Sequence, residues 1–261
     1  MLHVQEFKVA SLRQAVSAEE WEARVNLAAC YRLVARYDMT DLIYNHITAR
    51  VPGTRDQFLI NPYGLHYSEI TASSLYKIDH DGNIVLKPAL DYGINVAGYV
   101  IHSAIHAARH DVDCVIHTHT RAGMAISAMK CGLLPLNQTA LRFYDRIGYH
   151  DYEGPAIDPD EKERLVRDLG PHDALILRNH GLLVCGRSPA EAFNLLHWLE
   201  RACQAQIDAM AGGMDNLLIP SDDVAERTAK LYDPGGRRVF GVLEWDAMLR
   251  QLDREDTSYR N

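Results

Sequence analysis

The run Cys114-Val115-Ile116-His117-Thr118-His119 ends in two histidines spaced i, i+2. With Val112, its apolar residues predict a buried strand. Residues two apart on a strand share one face, so His117 and His119 present two imidazoles to one point. A third histidine, His180, follows the apolar run Ala174-Leu175-Ile176-Leu177 in Arg178-Asn179-His180-Gly181. Three neutral imidazoles with open coordination positions are the donor set of a catalytic rather than a structural metal site. Such a set, without a carboxylate, admits zinc, manganese, cobalt or iron.

The rest of the chain frames these two strands. Its 261 residues, 47% hydrophobic and 24% charged, suffice for a sizeable core. A formal charge of -8 argues against nucleic acid and anionic membrane as partners, because both select basic surfaces. The five cysteines Cys30, Cys114, Cys131, Cys185 and Cys203 lack C-x-x-C spacing and read as reduced thiols of a cytoplasmic protein. The stretch Met1 to Lys8 lacks the apolar core of a signal peptide, and no apolar run is long enough to span a bilayer.

In chain order, Ser17-Ala18-Glu19-Glu20 predicts a capping box opening a helix that ends near Tyr37-Asp38. His46 to Val51 alternates like a strand, turns at Pro52-Gly53 and returns as Gln57 to Ile60 before breaking at Asn61-Pro62-Tyr63-Gly64. Leu75 to Ile78 and Asn83 to Leu86 form a hairpin around Asp79-His80-Asp81-Gly82. This antiparallel opening, with no G-x-G-x-x-G, argues against a dinucleotide fold. Helical spacing recurs from Val96 to Ala108 and again from Ala122 to Met129. Leu133 to Pro155, with Phe143, Tyr144, Tyr149, His150 and Tyr152, follows neither period. Asp158-Pro159-Asp160-Glu161 starts a helix with Pro159 at its first position, and Gly170-Pro171 ends it. After the His180 strand, Gly181 leads into a hairpin partner, Leu182 to Cys185. Ser188-Pro189-Ala190-Glu191 caps a long helix reaching Met210 and stopped by Gly212-Gly213. A short helix follows Ser221, an amphipathic one spans Val242 to Leu252, and residues 253–261 read as a polar tail. We expect one α/β domain over 1–261, with a short extension (1–16) and a mixed, mostly antiparallel sheet.

His102 to Met129, with His-Thr-His inside it, resembles the class II aldolase/adducin family when taken together with Arg178-Asn179-His180-Gly181. Ala128 to Pro135 and Tyr149-His150-Asp151-Tyr152 make it more similar to the adducin head domain than to the sugar-phosphate aldolases. The resemblance implies a three-layer α/β/α sandwich and a cyclic homotetramer with sites between subunits. It places the family's metal ligands on His117, His119 and His180, and the aldolases' catalytic glutamate on Gly98. Their phosphate-binding serine pair falls on Val96 and Ala97, and their Gly-Asn phosphate loop on Asn45-His46. Gly64 keeps only the backbone part of another phosphate contact.

A metal site without the acid or the phosphate ligands implies a metal-dependent carbon–carbon lyase, decarboxylase-like or aldolase-like. Its substrate would be a small non-phosphorylated hydroxy or keto acid. Loss of CO2 needs an electron sink and a proton donor, whereas retro-aldol cleavage also needs a base, so the missing acid favours decarboxylation. Tyr144, Tyr149 and Tyr259 are candidate donors by resemblance, beside a plain packing role for Tyr144 and Tyr149. His46, Asn45, Gly64, Gly98, His102 and Arg178 are candidate substrate contacts. His102 and His106, at i, i+4, also fit simple helix packing, and Arg142 and Arg178 also fit structural ion pairs. Two other classes stay open: a non-catalytic adducin-like module binding cytoskeletal-type partners, and an Fe(II)-dependent oxygenase.

Overall fold

Alternation along β5 (Cys114–Thr118) sorts the molecule into layers. Cys114 and Ile116 enter one core cluster, while Val115 enters another on the opposite face. The computed structural model describes residues 9–154, 159–233 and 238–261; the stretch Met1 to Lys8 and Asp158 lie outside the described residues. So do the side chains of Val96, Ala97, Pro159 and Asp160.

Eight strands make one mixed sheet in the order β4-β3-β2-β1-β5-β8-β7-β6 among the described residues. They are β1 (His46–Arg50), β2 (Gln57–Ile60), β3 (Tyr76–Asp79), β4 (Ile84–Leu86), β5, β6 (Gly148–His150), β7 (Ala174–Leu177) and β8 (Gly181–Gly186). Every neighbouring pair is antiparallel except β6 with β7. One face packs against α1 (Ala18–Arg36) and α6 (Pro189–Met210), on which α8 (Val242–Glu255) lies, around Leu27, Tyr31, Ile116, Val184, Leu196 and Trp245. The other face packs against α2 (Val96–Ala108) and α5 (Pro159–Leu169), through Ile101, Ile105, Leu165, Leu169, Leu175 and Leu183. The result is the expected α/β/α sandwich. Shorter α3 (Arg121–Ser127), α4 (Gln138–Leu141) and α7 (Asp222–Ala229) complete the helices.

The aperiodic stretch from Leu133 resolves into α4 and the edge strand β6, each too short to carry a period. Ser17 and Ser188 cap as expected, accepting from the Glu20 and Glu191 amides at 3.1 and 3.2 Å. The reciprocal half of each expected box is absent. Glu20 instead turns inward to Arg24 (3.0 Å) and Lys77 (2.9 Å), and Glu191 accepts from the Arg187 amide at 3.3 Å. The polar tail is docked rather than free: the Ala72 and Ser73 amides donate to the Tyr259 and Asn261 carbonyls at 2.9 and 2.8 Å. Among the described residues, no helix is long and apolar enough to cross a membrane.

Candidate metal centre

Three turns converge at the C-terminal end of β5. His117 is the last inward-facing residue of that strand, opposite His46 on β1. His119 stands just beyond, ahead of α3, whose N-cap Thr120 accepts from the Gly123 amide at 3.1 Å and donates to Glu200 of α6. His180 occupies the β7–β8 turn, beside Asn179 in left-handed backbone (φ 55°). A Cβ on Gly181 would lie 2.3 Å from the Thr118 carbonyl oxygen, so glycine lets this turn close onto β5.

The three Nε2 atoms meet: His117 to His119 at 2.8 Å and His119 to His180 at 2.9 Å. His117 Nδ1 donates to the Leu182 carbonyl at 2.9 Å, and His119 Nδ1 donates to Asp41 Oδ2 at 3.0 Å. Both acceptors lack a proton to give, so each Nδ1 carries the hydrogen and each Nε2 a lone pair. Two lone pairs facing at hydrogen-bonding distance repel unless a cation lies between them. Ligands about 2.0–2.1 Å from a tetrahedral ion stand about 3.3 Å apart, within half an ångström of the observed spacing. Burial, then the neighbouring histidines, hold His117 well below the usual imidazole range, and burial with His119 lowers His180 to about 4. Both are neutral at pH 7, the form that binds metal. The donor set fits a divalent cation, and it is the one such cluster among the described residues.

Asp41 was invisible in the sequence. It lies in the α1–β1 connection, where Asp38, Leu42 and Asn45 adopt φ of 55°, 49° and 44°. Carboxylates that orient metal-binding histidines in this way raise ligand basicity. The same loop runs through Asn45 into His46 at the start of β1, and the His46 ring centroid stands 5.8 Å from that of His117. Both amide atoms of Asn45 and both ring nitrogens of His46 are buried without a hydrogen-bond partner. The His46 ring lies over Gly98, where an added Cβ would meet its Cε1 at 2.2 Å, and stacks on His102 with centroids 4.0 Å apart.

The other expected site residues are dispersed. His102 Nδ1 and His106 Nε2 each lie 2.8 Å from Thr48 Oγ1, so they pack the helix onto β1. Gly64 (φ 142°) sits under the Tyr92 ring, whose Cδ1 an added Cβ would meet at 2.5 Å. Arg178 donates to the Met129 carbonyl at 2.7 Å and lies over Tyr149, whose hydroxyl accepts from the Leu133 amide at 3.0 Å. Arg142 is likewise structural, bonded to Asn194 at 2.9 Å among the rings of Trp198, Tyr232 and Phe240. Tyr144 faces Asp222 at the start of α7. Tyr259 is buried in the core with its hydroxyl donating to Asp253 at 2.8 Å. None of these three tyrosines is brought to the histidines. Tyr152 is: its ring centroid stands 6.2 Å from that of His180.

Fold and histidine centre together define a class, and comparison with known proteins agrees. The model of the class II aldolase and adducin N-terminal domain matches residues 25–207. The chain belongs to that family. A solved aldolase II superfamily protein from Pseudomonas syringae is 51% identical, with a TM-score of 0.93 over 97% of this chain and 100% of that one. An L-fuculose 1-phosphate aldolase from Glaciozyma antarctica is 26% identical, with a TM-score of 0.83 over 98% and 96% of the two chains. Alpha-adducin of Mus musculus is 46% identical over 88% of this chain, which spans 33% of its length.

Proposed function

We propose that this protein is a metal-dependent carbon–carbon lyase for a small, non-phosphorylated keto or hydroxy acid, and that its reaction is decarboxylase-like. The observation that carries this reading is the convergence of the three Nε2 atoms of His117, His119 and His180 beside the buried His46, whose ring nitrogens have no hydrogen-bond partner. His117, His119 and His180 would hold the ion, which we assign as zinc, with manganese, iron and cobalt admitted by the same donors. When bound, the ion supplies Lewis-acid polarisation of a substrate carbonyl. Asn45 and His46 bind the substrate's carboxylate and carbonyl oxygens, since buried polar groups need partners. His46 fills the space above Gly98, so no carboxylate stands there to act as a base. Tyr152, 55% exposed beside His180, donates the proton that replaces CO2 on carbon.

Tyr152, exposed beside His180, and Leu42, exposed next in sequence to Asp41, leave apolar surface at the site, which supports a homotetramer whose neighbouring subunit covers it. We place the protein in the cytoplasm, folded as one domain. A protein-binding module is the second reading, favoured by the identity to alpha-adducin.

The test is metal content of the purified protein and of His180→Ala, followed by CO2 release from a panel of small β-keto and hydroxy acids. About one ion per chain, lost in the variant, with turnover that falls at least tenfold in Tyr152→Phe, is the expected result. No metal even after reloading would overturn the lyase and favour the binding module.

A further inference from the structure

Asn194, His197 and Trp198 stand at i, i+3 and i+4 on α6, so they share one face of that helix. Asn194 Oδ1 accepts from Arg142 Nη1 at 2.9 Å, which leaves the Nδ2 hydrogens without an acceptor among the described residues. The Trp198 indole N–H also lacks one, whereas that of Trp245 donates to Asn26 at 2.9 Å. The His197 ring packs edge-on to Tyr37, with centroids 5.0 Å apart, and makes no hydrogen bond among the described residues. Burial, then nearby Arg201, hold it below the usual imidazole range, so at pH 7 it offers one N–H and one lone pair. All three side chains line a cavity of about 220 Å³ between α6, α8 and the end of α1. Its remaining walls are the rings of Tyr37, Phe193 and Trp245, with centroids 5.8 and 6.1 Å apart in that order, and the Met248 side chain.

Size and charge select the occupant. An apolar cavity of about 150 Å³ is enough to hold benzene, so this one takes a single ring with a small substituent. Aromatic walls favour a flat apolar body, and N–H groups gathered on one side call for an acceptor on its edge. Glu244, the acid on the wall, is already taken up by Arg238 at 2.9 Å and by the Gly241 amide at 3.0 Å. Arg142 has no such counter-ion among the described residues. Its guanidinium lies 5.4–5.7 Å from the rings of Trp198, Tyr232 and Phe240, directly behind Asn194. Free donors in front of an uncompensated cation are the complement of a carboxylate.

We infer that this cavity binds a small aromatic carboxylate, with its ring against Phe193 and Trp245 and its oxygens on Asn194 Nδ2 and Trp198 Nε1. His197 supplies a further polar contact at the rim of the ring. None of the cavity's walls belongs to the histidine centre, and the inference does not depend on the lyase reading.

The test is calorimetric titration of the purified full chain with benzoate. One equivalent per chain is expected, bound about tenfold or more tighter than uncharged benzamide. Asn194→Asp keeps an acceptor for Arg142 but replaces the amide donors with a negative charge, and should weaken benzoate about tenfold or more. Trp198→Phe removes the indole N–H and keeps a ring, and should weaken it about three- to tenfold. His180→Ala should bind benzoate as the native chain does. No saturable binding, equal affinity for benzamide, or native affinity in Asn194→Asp overturns the proposal. Binding lost in His180→Ala also overturns it, by assigning the benzoate to the histidine centre. If Asn194→Asp fails to fold, Trp198→Phe decides: weakened binding upholds the site, and native affinity removes it.

Discussion

Asp41 holds no metal, yet its carboxylate decides which nitrogen of His119 is free to do so. Asp41→Asn keeps a hydrogen-bond acceptor and removes the charge. Zinc affinity should fall about ten- to a hundredfold, read by competition with a chelator. The side chain is 42% exposed, so the melting temperature should hardly move. Gly98→Ala works through packing instead. Its Cβ would sit 2.2 Å from the His46 ring, forcing the start of α2 or the ring to shift. We expect a loss of about 1–3 kcal/mol in urea unfolding. In a His46→Ala background most of that cost should vanish, and additive losses would mean that the two positions do not share space. Part of the histidine cluster was legible because strand alternation alone brings His117 and His119 together. Asp41 was not, since it reaches His119 across 78 residues through a loop with no periodic signature.

At the scale of elements, legibility follows length. The helix α2 and the paired strands of the sheet's first half announce themselves by period, and α1, α5 and α6 by the signals at their ends. In contrast, β6 has three residues and α4 four, and each is fixed by a neighbour: β6 by parallel pairing with β7, α4 by packing on α6. The docking of the tail was hidden for a related reason, since Tyr259 is one buried aromatic in a polar run. The two capping boxes failed in their acidic half because other partners outcompeted the N-cap amide: a neighbouring amide, that of Arg187, for Glu191, and the Arg24 and Lys77 side chains for Glu20. For Glu20 one such partner is Arg24, fully buried, which also donates to the Ala72 and Leu75 carbonyls at 3.3 and 2.8 Å. This pair ties α1 to the segment leading into β3. Glu20→Ala would strand a guanidinium in the core, costing about 3–5 kcal/mol in denaturant unfolding. A loss under about 1 kcal/mol would show that Lys77 and the carbonyls suffice without it.

Taken as a whole, the molecule gathers its buried histidines on the α2 side of the sheet, and this should govern how it meets acid. Burial lowers His46 to about 4 and His106 to about 3, and it holds His102 well below the usual range. An imidazole in the unfolded chain titrates near about 6.5. Between that value and the folded one, the unfolded state binds protons that the native state refuses. The stability these groups contribute is therefore complete above about pH 6.5 and is lost as pH falls toward 4. Each such histidine takes away about 1.4 kcal/mol per pH unit within its window. Asp111 and Glu244, both held at about 2 chiefly by their hydrogen bonds to arginine, act only in a lower window, below about pH 4. The melting temperature of the metal-stripped chain should thus drop steeply between pH 6.5 and 5, where Asp111 and Glu244 are still silent. His106→Phe should flatten that slope by one group's share, because Phe58 can stack on the new ring and Thr48 keeps its bond to His102. A stability curve flat from pH 7 to 5, or a slope unchanged in His106→Phe, would mean that these imidazoles are not held neutral by the fold.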